Sequence, residues 1–119
     1  MIITRTGEII DYFLRENGVV VQDGEFSICL EYNAEQYAQY ARIRKLKNLL
    51  NESDYKALKF SDGALTEEEY APVREQRRAW RAEINEIEET FSEPTITREE
   101  MDAAEAAALK NYERARNGH

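Results

Sequence analysis

Carboxylates are the only catalytic raw material that this chain carries in quantity. Glu67, Glu68 and Glu69 form one run, and Glu86, Glu88 and Glu89 a second. Two acids divide general acid and base work only where their surroundings separate their pKa values, and neither run is marked by such a pocket. The first run falls where a helix begins, and a helix macrodipole favours acids there, so it reads as capping charge. The second lies near the far end of the same helix and reads as charge for solubility or for a partner. Ser53, Ser61 and Ser92 occupy turn or cap positions with no histidine in reach to activate them. The one histidine, His119, ends the chain and is expected to be disordered. Cys29 is the one cysteine, so it has no internal disulfide partner. No obvious cationic neighbour lowers its pKa, and a buried or half-buried structural thiol is expected. One thiol and one imidazole cannot build a metal cluster. Gly7, Gly18, Gly24, Gly63 and Gly118 are isolated turn residues rather than a phosphate-cradling loop. We therefore expect no catalytic residue, no metal, no cofactor and no enzymatic activity.

Residues suited to contact are better represented. Arg42-Ile43-Arg44-Lys45-Leu46-Lys47 could touch phosphates, but with Leu49 and Leu50 following it reads as a helix whose basic side chains snorkel over a core. Arg74, Arg77, Arg78 and Arg81 surround Trp80. Arg77, Trp80, Arg81 and Ile84 are helical neighbours, so guanidinium can stack on indole. Trp80 is first of all a core residue in this reading, and a partner-facing anchor second.

The elements that must position these residues fit one domain of 119 residues. Hydrophobic residues make up 42% and charged residues 34%, a composition with a modest core and a charged skin. The net charge of −8 argues against a nucleic-acid binder or a membrane-surface protein. No apolar run approaches the roughly 18 residues of a membrane span, and no leader pattern opens the chain, so an intracellular protein is expected. Charge is unevenly spread: six acids and two bases over 1–33, three and six over 34–60, ten and four over 61–93, five and four over 94–119. A basic helix between acidic flanks would suit head-to-tail association or complementary docking.

We expect an α+β domain, 1–119, with a β-rich subregion over 1–33 and a helical subregion over 34–119. Asn17-Gly18 and Asp23-Gly24 are hairpin-turn dipeptides and suggest an antiparallel β-meander over about 2–31. Phe26, Ile28 and Leu30 alternate onto one face, with Cys29 on the other. Segment 8–16 is expected as a strand, although Ile9, Ile10, Phe13 and Leu14 also fit a helical stripe. Three to four helices follow. Asn33 caps a helix over about 34–51, apolar on two sides, and a short helical turn covers 53–60. Thr66 with Glu69 forms a capping box, stapled by Leu65 and Tyr70, for a helix over 66–91 with a kink at Pro72 or a short first segment near 67–71. Val73, Trp80, Ile84, Ile87 and Phe91 form its apolar stripe. Thr97 with Glu100, stapled by Ile96 and Met101, starts an alanine-rich helix over 98–116 whose ends are expected to fray.

Leu49-Leu50-Asn51-Glu52-Ser53-Asp54-Tyr55 through Leu65-Thr66-Glu67-Glu68-Glu69-Tyr70-Ala71-Pro72, followed by Arg77 and Trp80-Arg81, resembles a pattern of small phage tail-region proteins. These are the tail fibre assembly chaperones and the XkdW-like prophage proteins. The match runs over roughly 42–88, and the N-terminal order of β-rich stretch, Asp-Gly turn, alternating strand and Glu35-Gln36-Tyr37 helix agrees with it. The resemblance implies a non-enzymatic accessory that helps a tail fibre or another tail component fold, trimerise or attach. It would act in the cytoplasm of a bacterial host, with homo-oligomerisation and association with the virion left open. The partner-binding residues expected on this basis are Tyr55, Tyr70, Arg77, Trp80, Arg81 and Ile84. The alternative is a phage-encoded inhibitor of host defence whose carboxylates imitate a nucleic-acid backbone.

Overall fold

Local signals decide where each helix starts and stops. Asn33 Oδ1 accepts the Gln36 N–H at 2.8 Å, and Gln36 Oε1 accepts the Asn33 N–H at 2.9 Å. This reciprocal cap opens α1, Ala34–Ser61. Gly63, at φ +81°, donates to the Phe60 carbonyl, and Ala64 donates to the Lys59 carbonyl. That pair of bonds is a Schellman motif and ends the helix. The Thr66–Glu69 capping box is complete and opens α2, Glu67–Thr90. At α3, Arg98–Asn117, the Glu100 N–H reaches Thr97 Oγ1 at 3.1 Å while Glu100 Oε1 accepts from Thr97 N–H and Oγ1. The structure, a computed structural model, describes residues 1–117; Gly118 and His119 lie outside the described residues.

The α+β class is as expected, and three details differ. The helices foreseen over 34–51 and 53–60 are one, because Ser53 does not break the chain: its hydroxyl donates back to the Leu50 carbonyl at 2.9 Å. Helix α2 passes through Pro72 without a separate first segment. The carbonyl that proline leaves unbonded is that of Glu68, an exposed first-turn residue where water can serve.

The sheet is the third difference. Its strands β1 (Ile2–Thr4), β2 (Gly18–Asp23) and β3 (Phe26–Glu31) lie in the order β1-β3-β2. β2 and β3 form the expected antiparallel hairpin around Asp23-Gly24, but β1 pairs parallel to β3, with Ile3 opposite Ile28. An antiparallel meander is thus ruled out. Asn17-Gly18 makes no hairpin turn; Gly18 is extended, and a Cβ there would stand 2.0 Å from the Leu30 carbonyl oxygen. Glycine serves close strand approach at this position. Segment 8–16 is neither the expected strand nor a helix. It contributes one antiparallel bridge, Ile9 to Ile3, and then joins a 3₁₀ turn at Arg15–Asn17.

The backbone gathers into two compact units. One comprises Met1–Tyr37 and the residues from Glu93 onward; the other is Ala38–Ser92. Helix α3 thus gathers with the sheet, although it belongs by type to the helical stretch that follows residue 33. In the first unit Ile3, Ile28 and Leu30 pack on Ala104 and Ala108, flanked by Val19, Val21, Phe26, Ile96 and Met101. Alanines let the chain come close: a Cβ on Gly7, at φ +89°, would meet Ala104 O and Ala107 Cβ at 2.6 Å each. Asn111 Nδ2 donates to the Gly7 carbonyl at 3.0 Å across the same contact. Arg98 binds Asp23 and Asp102, and Arg5 binds Glu100 and the Thr95 carbonyl, tying strand ends and loops to α3.

The second unit is an antiparallel helical hairpin. On α1 Gln39, Ile43, Leu46, Leu50, Ser53, Ala57 and Phe60 are buried or half-buried, at alternating steps of four and three. On α2 the same holds for Tyr70, Val73, Arg77, Trp80, Ile84 and Ile87, at steps of three and four. Such spacing keeps one seam facing a partner helix, as in a coiled coil. Contacts run in opposite directions by matching steps: Gln39 with Thr90, Ser53 with Arg77, Phe60 with Tyr70. Ile43, Leu46 and Ile84 form the buried centre, packed by Leu49, Leu50, Trp80 and Ile87.

Candidate binding surfaces

Arg77 occupies a seam position and is 7% exposed. Its Nη1 donates to the Leu50 carbonyl at 2.8 Å and to Ser53 Oγ at 2.5 Å, and its Nη2 donates to Asp54 Oδ1 at 2.9 Å. The Leu-Leu, Ser-Asp and Arg-x-x-Trp elements are therefore brought together as a polar layer inside an otherwise apolar seam. A charged layer of this kind is satisfied in only one alignment of the two helices, which gives it a register-setting role. Tyr70 is 8% exposed and stacks on Phe60, ring centroids 4.5 Å apart and 10° from parallel. The Arg74 guanidinium lies 5.2 Å from both ring centroids and pairs with Glu67. Ile84 is 7% exposed. Of the six expected contact residues, Tyr70, Arg77 and Ile84 hold the hairpin together and are not displayed. Trp80 is half-buried against the apolar centre, whereas Arg81 and Tyr55 are exposed. No Arg–Trp80 stacking contact is present among the described residues; the guanidinium stacking falls on Phe60 and Tyr70 instead.

Leu58 is a surface residue that the motif does not include. It is 65% exposed, three positions after Tyr55 at 53%, so both project from one exposed side of α1. Lys56 and Lys59 hold their ammonium groups 6.0 and 5.6 Å from the Tyr55 ring centroid. The signal was present in the sequence: Leu58 is a large apolar residue outside the four-and-three spacing.

The charges that could suggest chemistry have structural partners. Glu67 is held below the usual carboxylate range by Arg74, and Glu83 likewise by Arg42, whose Nε and Nη2 donate at 2.9 Å each. Lys47 pairs with Glu88 at 3.7 Å, and Glu69 is engaged in the cap. Arg42 and Lys47 of the basic run thus meet acids of α2 within the hairpin. In the first unit Arg98 lowers the Asp23 pKa, while a hydrogen bond with Asp23 and burial raise that of Glu105. Ser53 is committed to the Arg77 layer. No cluster of three metal-ligating acids, cysteines or histidines occurs among the described residues.

The first unit also carries a cleft of about 740 Å³, on the sheet face turned away from α3. Register places Thr4, Cys29 and Glu31 on that face, since Ile3, Ile28 and Leu30 point the other way. Segment 8–14 roofs it. The roof is fastened where Ile10 N–H donates to the Ile2 carbonyl at 2.9 Å and where the Glu8 carbonyl accepts from Thr4 N–H at 2.8 Å. Beyond these bonds, Tyr12 and Leu14 are 73% and 50% exposed. Cys29 lines the floor at 3% exposure, and burial pushes its thiol pKa up, which suits the structural thiol expected and not a nucleophile.

Set against family models, curated proteins and solved structures, the chain matches none of them. No helix among the described residues is long and apolar enough to cross a membrane.

Proposed function

We propose that this protein is a non-enzymatic assembly accessory of a phage or prophage tail, acting by binding another tail protein in the host cytoplasm. The observation that carries the reading is the pair Tyr55 and Leu58. Two large apolar side chains stand exposed on one helical side of a hairpin whose register Arg77 sets. Tyrosine is common material of a binding hot spot, and Leu58 adds apolar area beside it that a partner can cover. The motif that resembles tail fibre assembly chaperones lies in the same hairpin. The reading as a nucleic-acid mimic has less support, because Glu67, Glu83 and Glu88 are ion-paired within the hairpin instead of forming an uncompensated acidic face.

Co-expression with a tail-fibre protein from the same genome tests the reading. The fibre should be recovered soluble and trimeric with the intact chain, and in reduced yield with the Tyr55→Ala, Leu58→Asp double variant. A fibre equally soluble and trimeric without this chain would refute it.

A further inference from the structure

The cleft is lined by residues of the first unit alone, and its chemistry is specific. Ile10, Phe13 and Leu14 supply apolar wall, and the carboxylates of Glu8 and Glu31 stand at its lining. Neither carboxylate has a cationic partner among the described residues. Arg5, the cation in the lining, is already held by Glu100 at 3.2 Å and by the Thr95 carbonyl at 2.9 Å. Arg15, on the adjoining 3₁₀ turn, lies outside the lining, although its charge reaches Cys29 on the floor. Segment 1–33 as a whole carries six acids and two bases. The cleft therefore combines apolar wall with two carboxylates that no ion pair holds among the described residues.

We propose that this cleft binds an extended segment of a partner protein in which apolar side chains are interleaved with lysine or arginine. The apolar side chains enter against Ile10, Phe13 and Leu14, and the basic ones reach Glu8 and Glu31. Alternation matches the setting: successive side chains of an extended strand point to opposite sides, so one set faces the cleft while its neighbours reach the rim. Charge complementarity selects this segment against acidic ones. The site shares no residue with Tyr55 and Leu58, and its occupancy does not depend on the tail-assembly reading.

Isothermal titration calorimetry of the full-length protein provides the test, with a capped hexapeptide alternating leucine and lysine as the titrant. The leucine–lysine peptide should bind in a saturable manner, and the same peptide with glutamate for lysine should not. Glu8→Gln and Glu31→Gln, both at exposed side chains, should each weaken binding roughly threefold, the scale of an exposed ion pair. Circular dichroism of the variants confirms that the fold is retained. Absence of binding by the lysine peptide, equal binding of both peptides, or binding unchanged in both variants would overturn the proposal. Tail-fibre co-expression would be unaffected by either result, so the two readings fail independently.

Discussion

Truncating Arg77 tests how the hairpin is held. Arg77→Ala removes a guanidinium that makes three hydrogen bonds from a side chain with 9% of its surface exposed. Asp54, at 55% exposure, returns to water, so its share is small. Ser53 Oγ and the Leu50 carbonyl stay in the half-buried seam and lose a charge-assisted donor, about 1 kcal/mol each. Loss of the packed aliphatic stem adds about another 1 kcal/mol. The sum is about 3 kcal/mol, or roughly 12 °C in Tm for a chain of this size. Urea and thermal unfolding followed by helical circular dichroism measure it. Arg77→Lys keeps the charge but loses the fork, and should recover no more than half. The Ser53→Ala, Arg77→Leu double variant replaces the polar layer with apolar contact and should return to within about 1 kcal/mol of the parent, with less fixed register. An Arg77→Ala protein within about 0.5 kcal/mol of the parent would show that the layer does not hold the hairpin.

Two further perturbations probe the first unit. Gly7→Ala meets both a positive φ and atoms at 2.6 Å, and should destabilise by roughly 3 kcal/mol; Gly63→Ala, with positive φ and open space, should lose only about 1 kcal/mol. Equal losses in thermal unfolding would remove the close-approach argument. Glu105 has a raised pKa, so the fold favours its protonated form: its stabilisation is present at acid pH and is lost as pH rises through the folded value. Glu105→Gln keeps a donor toward Asp23 without the charge. It should raise Tm at pH 7, and the gain should vanish toward pH 4, where the parent is itself protonated. Asp23, Glu67, Glu83 and Glu100 have lowered values, so their stabilisation is present at neutral pH and fades as pH falls below about 4. A gain for Glu105→Gln that is independent of pH would refute the assignment.

What could be read beforehand was what short range decides. Asn33 with Gln36, Thr66 with Glu69 and Thr97 with Glu100 are caps completed within four residues, and all three form. Strand direction was not readable, because Ile2-Ile3-Thr4 has the same alternation whether it pairs parallel or antiparallel with Ser27-Ile28-Cys29. Segment 8–16 was ambiguous because its apolar residues serve a cleft roof, which has no period. Arg77 was legible as a motif residue but not as a seam residue. A charge at a core position reads as surface until its acceptors, supplied 23 to 27 positions earlier, are known. The burial of Tyr70 and Ile84 was unreadable for the same reason: both are apolar at helical spacing, and only the second helix shows which side is already covered.

The assignment of α3 to the sheet has a consequence for biosynthesis. Residues 38–92 contain both arms of the hairpin and can pair soon after they leave the ribosome. The three strands emerge before the hairpin yet must wait for Ala104 and Ala108, which follow it, before Ile3, Ile28 and Leu30 are covered. Nascent chains of this protein pass through an interval in which an aliphatic sheet surface is bare. The acids of the first 33 residues provide charge repulsion against self-association during that interval.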